Sequence, residues 1–380
     1  MNILIAPDSF KGSLTAAEAG RAIAEGIKKA VPHAQVKVVP MADGGEGTIA
    51  ALAENETSRL QPASVHDPLM RPIEISYLVM EYEGKPTALV ECAKSSGLTL
   101  LMDDERSAVK ANTYGLGEQI KAALDDGFRQ VIISLGGSAS NDGGLGMLQA
   151  LGWKLFDRCR NEISPSGNPL LPIESMSDEQ IHPAIRQTRF LAASDVVNPF
   201  YGSEGAAFVF APQKGADEKE VVLLDQALRK AARLYEEMYN VDVQGVKGSG
   251  AAGGLGGAVA AALRGETISG IDMVIQLTGL ENHVKWADFV ITGEGSLDGQ
   301  SLFGKVPVGV AKLAKLHRKP VIAIAGRLGT EIEALHSYFD GIFSIQTDCL
   351  SPKQAMQPEV AVYQTRKTTE QLFRLYTLNK

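Results

Sequence analysis

A chain of 380 residues has room for two or three domains. Its 44% hydrophobic and 22% charged residues are those of a globular protein, which excludes a wholly disordered chain. The 37 Lys and Arg against 45 Asp and Glu leave a net charge of −8, which argues against a broad basic surface for nucleic acid but not against a local cationic pocket.

In chain order, the apolar run NILIAP at 2–7 is expected to be a buried strand. Thr15 can cap a helix, with Glu18 completing a capping box, and that helix runs to about residue 30, ahead of Pro32. VKVVPM is a second strand and 46–54 a second helix, so the chain opens as βαβα and predicts a parallel sheet. From residue 58 the pattern changes. IEISYLVMEYE, a GK turn and TALVECA are β-rich; a helix at 107–125, the strand QVIISLGG, a helix at 145–151 and a long charged helix at 218–239 follow. The last hundred residues return to alternation: FVITGE at 289–294, a helix opened by Pro307, VIAIAG, a short helix at 330–337, GIFSIQ and a closing helix at 359–376. Two strands at the front and three at the back predict a five-stranded, doubly wound, flavodoxin-like parallel sheet of order 2-1-3-4-5. The expected fold is therefore α/β with two α/β domains. The ends, 1–57 and 284–380, build one; 58–283 form a large inserted mixed α/β domain, reached by two chain crossings.

Ligands of open parallel sheets bind beyond the carboxyl ends of the strands. Four such loops here combine acids or cations with glycine: Asp8-Ser9-Phe10-Lys11-Gly12, Asp43-Gly44-Gly45-Glu46, Gly293-Glu294-Gly295-Ser296-Leu297-Asp298 and Gly326-Arg327. Asp and Gly also end strands and cap helices, so the inference rests on all four loops together. In the insertion, GGSASNDGG at 136–144 stands between a strand and a helix, where small side chains and free N–H groups suit a phosphate. GSGAAGGLGG at 248–257 contains GxGxxG but follows a poor strand, so a dinucleotide site is discounted and close packing is the plainer reading. Residues 299–306 fit GxxxxGK but end in Val306 where a P-loop needs a hydroxyl, so a true P-loop is rejected; Lys305 can still meet an anion just ahead of a helix. No GxSxG elbow and no HExxH motif supports a hydrolase.

Cys92, Cys159 and Cys349 are far apart and form no CxxC pair, which fits a reducing compartment. The start, MNILIAPDSFKGS, lacks the basic segment of a signal peptide, and no apolar run approaches the roughly 20 residues that span a membrane. A cytoplasmic protein without membrane or nucleic-acid partners is expected.

APDSFKGSLTA, PMADGGEGT, DPLMRP, LGGSASNDGG, ASDVVNPFYG, APQKGA, GSGAAGGLGG and TGEGSLDGQSLFGK occur together and in this order. With them the chain resembles the type I glycerate kinases, the bacterial glycerate 2-kinase family, from about residue 2 to beyond Arg327. The resemblance implies two α/β domains with the active site in the cleft between them, ATP and Mg²⁺ as cofactors, D-glycerate as substrate, and allows for a homodimer. Phosphoryl transfer requires cations on the phosphates and a base near the attacking hydroxyl. Asp195, Lys11 and Asp8 are the catalytic candidates, with Asp195 as base, although an Asx turn ahead of Asn198-Pro199 would also explain it. Ser9, Asp43, Arg327 and Ser95 are candidates for the substrate. Gly136, Gly137, Ser138, Asn141, Asp142, Gly143, Gly250, Gly253 and Lys305 are candidates for the nucleotide, and Glu294 and Asp298 for the metal. The expected product is phosphoglycerate, with the 2-phosphate favoured over the 3-phosphate. Two alternatives stay open: a kinase for another hydroxy acid or sugar acid, and a non-catalytic carboxylate-binding regulator.

Overall fold

A computed structural model describes residues 1–53, 55, 57–302, 305–330 and 332–378. Phe303 and Gly304 of the GxxxxGK segment, and Glu331 of the expected helix at 330–337, lie outside the described residues. The chain divides into two compact units, Met1–Asp43 with Ala50–Glu54 and Gly270–Lys380, and Gly44–Ile49 with Asn55–Ser269.

The first unit holds a five-stranded sheet ordered Gln35–Val38, Asn2–Pro7, Phe289–Leu297, Val321–Leu328, Gly341–Ser344, with every pair parallel. This is the doubly wound order expected from both chain ends. The central strands are continuous apolar runs because both faces are covered. On one face Ile3, Ile5, Ile291 and Ile324 pack with Ile23 and Ile27 of the helix Ala16–Ala30 and with Phe373 of the helix Pro358–Tyr376. The first of these helices starts where the sequence places it: Glu18 N donates to Thr15 Oγ1 at 3.2 Å and Thr15 N donates to Glu18 Oε2 at 2.8 Å. The two helices meet closely at Gly26, where a Cβ would stand 2.5 Å from Arg366 O. The helix Val306–Leu316 packs on the strands Phe289–Leu297 and Val321–Leu328.

The second unit has a six-stranded sheet ordered Glu266–Ile268, Arg189–Ala193, Gln130–Ser134, Lys85–Glu91, Pro72–Tyr82, Arg59–His66. The first four strands are parallel and the last two pair antiparallel, so the sheet is mixed. Glu83 and Gly84, both at positive φ, close the two-residue hairpin between Tyr82 and Lys85. Helices Tyr114–Asp125, Glu218–Tyr239 and Ala251–Ala262 help enclose its core. The expected helix at 107–125 begins only at Tyr114.

The boundaries differ from the expected 58 and 284. Helices Gly270–Leu277 and Leu280–Trp286 pack on Val306–Leu316, so the first unit resumes at Gly270. Residues 44–49 belong to the second unit: Gly47 N and Ile49 N donate to the buried Glu91 carboxylate at 2.8 and 2.9 Å, and Ser134 Oγ donates to Gly44 O and Gly45 O at 2.5 and 2.8 Å. These anchors shorten the expected helix at 46–54 to Thr48–Leu52 and make four chain crossings instead of two. Among the described residues no helix is long and apolar enough to cross a membrane.

Candidate active site

The carboxyl ends of the parallel strands in the first unit surround a cavity of about 470 Å³. Asn2–Pro7 delivers Asp8, Ser9 and Lys11 to it, Phe289–Leu297 delivers Glu294, and Val321–Leu328 delivers Arg327. The loop after the first strand is tight. Asp8 N donates to Gly293 O at 2.8 Å, and Phe10 and Leu14 exchange backbone hydrogen bonds of 2.8 and 2.9 Å around Gly12, whose φ is 75°. Lys305, just ahead of the helix Val306–Leu316, also lines the cavity.

Asp8 is 3% exposed. Burial raises its carboxyl to about 8; the negative charge of Asp43 adds to this, Lys11 and the Ser9 N–H at 2.6 Å oppose it, and Glu294 raises it further. Burial likewise raises the Glu294 carboxyl against the pull of Lys305 at 3.4 Å and the Ser301 hydroxyl, which donates to its Oε1. Arg327 Nε donates to Ser296 Oγ at 3.0 Å, and that hydroxyl lies 3.3 Å from Asp298 Oδ2. Asp298 is off the cavity wall, so of the expected metal pair only Glu294 faces the cavity, joined there by Asp8. Among the described residues no three acidic, histidine or cysteine side chains form a ready cation cage. Magnesium in phosphotransferases is usually held by one or two carboxylates, substrate phosphates and water, and the Asp8–Glu294 wall is a donor set of that kind.

The second unit gathers the remaining candidates. Asp195 lies two residues beyond the strand Arg189–Ala193 and is half-buried. The two glycine clusters pack on one another: Gly143 N donates to Gly253 O at 3.0 Å, a Cβ on Gly253 would stand 2.3 Å from Ser140 O, and one on Gly144 would stand 2.4 Å from Ala258 Cβ. A Cβ on Gly250 would stand 2.1 Å from Pro199 O, and one on Gly136 2.6 Å from Gly45 Cα. Gly136, Gly250 and Gly253 are therefore positions of close backbone packing. Ala252, Gly253 and Gly254, at φ 53°, 74° and 92°, break the helix at the junction. Gly137, at φ 67°, has the Glu46 carboxylate beside it.

Asp142 is fully buried and its oxygens accept from Thr113 N, Thr113 Oγ1, Gly144 N and Gly146 N at 2.8–3.2 Å. Burial raises its carboxyl, and these donors oppose the rise. These bonds tie Asp142 into the shape of the loop. Ser95 is also fully buried, with Gln119 Nε2 donating to its Oγ at 2.5 Å.

Lys214 was not singled out from the sequence. It is 2% exposed, and its Nζ donates to Ser138 Oγ at 2.7 Å and Ser140 O at 2.6 Å. Burial lowers its ammonium to about 8, partly offset by Cys92 and Asp142. Beside it, both side-chain amide atoms of Asn141 and the hydroxyl of Ser140 are buried without a hydrogen-bond partner. The available signal was the APQKGA motif, where Pro212 and Gly215, at φ 88°, frame the lysine.

A family model described as the glycerate kinase family matches residues 3–377. The chain is 43% identical over 348 residues to the glycerate 2-kinase of Escherichia coli K12, covering 91% of each chain. It is 42% identical over 346 residues to the glycerate kinase of Bacillus subtilis 168, covering 91% of this chain and 90% of the relative. A crystal structure of a Salmonella typhimurium LT2 protein assigned as glycerate kinase 2 superposes with a TM-score of 0.79 at 38% identity, over 99% of this chain and 98% of that one.

Proposed function

The chain belongs to the glycerate kinase family and is a kinase, and from that premise we propose that it transfers the γ-phosphoryl group of ATP to a hydroxyl of D-glycerate, giving 2-phosphoglycerate. The observation that carries this reading is the first unit's cavity, where Lys11, Lys305 and Arg327 stand with the buried carboxyls of Asp8 and Glu294 at the carboxyl ends of parallel strands.

Phosphoryl transfer depends on positioning and on neutralising charge over the phosphate oxygens. Lys11 and Arg327 supply cations to the phosphates and to the substrate carboxylate. Lys305 balances Glu294 across 3.4 Å until an anion competes for it. Asp8 and Glu294 would hold Mg²⁺, which would neutralise phosphate charge when bound. Before a metal ion is bound, burial and the neighbouring Asp43 raise the Asp8 carboxyl to about 8, against the opposing pull of Lys11. Asp195, at the carboxyl end of its strand, accepts the hydroxyl proton.

The test is ATP consumption with and without D-glycerate, followed by proton-coupled phosphorus NMR of the product. A phosphorus doublet identifies the ester of the secondary hydroxyl. A triplet identifies the primary ester and overturns the regiochemistry, and ATP consumption indifferent to D-glycerate overturns the substrate.

A further inference from the structure

Resting on the reading of this chain as an ATP-dependent kinase, we propose that the apolar part of the wall of the first unit's cavity is the subsite for the nucleotide base. This replaces the expectation that the glycine clusters of the second unit receive the nucleotide.

The cavity is larger than its acidic substrate requires. Its volume of about 470 Å³ falls within the roughly 300–1,000 Å³ of sites that enclose drug-sized ligands, and a three-carbon acid would fill a fraction of it. Beside its charged groups the wall carries an apolar set, Phe10, Ile345, Leu350, Pro352, Ala355 and Met356, with Asp348 and Cys349 among them. A nucleotide has the same polarity, an apolar planar base joined to a polyanion, whereas glycerate has no apolar surface to match.

Two large apolar side chains in this wall are uncovered: Leu350 is 36% exposed and Met356 46%. The wall is nonetheless built to hold its shape. The short helix Pro352–Ala355 is fixed by a capping box in which Gln354 N donates to Ser351 Oγ at 3.4 Å and Ser351 N donates to Gln354 Oε1 at 3.1 Å. Met356 reaches the loop of Asp8 and Lys11, since a Cβ on Gly12 would stand 2.9 Å from Met356 Cε. Methionine suits a flat aromatic partner because its thioether is polarisable. Gln346 lines the same cavity; its Nε2 is committed to Gly326 O at 2.8 Å, which leaves the amide oxygen as the acceptor for an exocyclic amine.

Topology points the same way. The strands Asn2–Pro7 and Phe289–Leu297 are neighbours from which the sheet order runs in opposite directions, the position where doubly wound sheets bind nucleotides. The glycine clusters, in contrast, lie against each other's backbone at distances that leave no room for a Cβ.

The test is titration of the full-length protein with MgADP by calorimetry, with Leu350→Ser and Met356→Ser assayed beside it for the KM of ATP and of D-glycerate. Both side chains are partly exposed, and thermal melting checks that each variant is folded. The expected result is MgADP binding weakened about tenfold in each variant, with the KM for ATP raised at least fivefold and the KM for D-glycerate within twofold of wild type. Unchanged MgADP affinity in both variants overturns the assignment, as does a raised KM for D-glycerate alone. Because ADP binding needs no turnover, the subsite is read even if D-glycerate is not the acceptor; failure of the kinase reading shows instead as wild-type protein that binds MgADP but does not spend ATP on the acid.

Discussion

Lys214 Nζ ties Ser138 Oγ and Ser140 O together at 2.7 and 2.6 Å, placing a buried ammonium beneath the glycine loop that follows the strand Gln130–Ser134. Its folded value of about 8 lies below its ordinary 10.5. Between those values the unfolded chain binds the proton and the folded chain does not, so wild-type stability rises with pH through this window. Lys214→Met is expected to lose that rise: unfolding free energies measured by denaturant from pH 7.5 to 10 should show wild type gaining on the variant. Parallel curves would mean that the lysine is not buried as described.

Asp142 satisfies four donors from full burial. Asp142→Ala leaves them unpaired, and orphaned buried donors cost about 1–3 kcal/mol each before relaxation. A loss of at least about 3 kcal/mol is expected by urea denaturation, whereas a variant within about 1 kcal/mol of wild type would return Asp142 to the list of ligand-facing residues.

Much of this was legible in the sequence. The runs NILIAP and VIAIAG are continuously apolar because strands buried on both faces need it, and the Thr15–Glu18 box marks its helix unaided. The unit boundary was not legible at residue 270. Amphipathic helices such as Gly270–Leu277 and Leu280–Trp286 carry no mark of which sheet they cover. The glycine clusters are ambiguous in the sequence for a physical reason: Gly250 and Gly253 are required by close backbone approach, and a loop that cradles a phosphate has the same composition. Lys214 was missed because a lysine is ordinarily solvated, and nothing local records its burial.

Asp195→Asn removes the proposed proton acceptor without changing side-chain size. A loss of about 10²–10⁴-fold in kcat with MgADP affinity within about twofold is expected. Retention of most of the kcat would move the base assignment to another carboxylate.

Lys11→Ala and Arg327→Ala each remove a cation from the cavity wall. A lost charge-assisted hydrogen bond costs about 1.5–3 kcal/mol, so kcat/KM for D-glycerate should fall about ten- to over a hundredfold in initial-rate assays. Wild-type values in both variants would make these side chains surface charges.

The central claim is that the carboxyl-terminal edge of the five-stranded sheet carries the chemistry, and Asp8 is its most buried ionisable group. The most direct measurement is the D-glycerate-dependent rate of ATP consumption by Asp8→Asn in saturating Mg²⁺, with folding checked by thermal melting. Loss of a preorganised charge at the transferring group is expected to lower kcat/KM by about 10²–10³-fold while the protein stays folded. A folded Asp8→Asn enzyme that turns over D-glycerate at the wild-type rate would contradict the account.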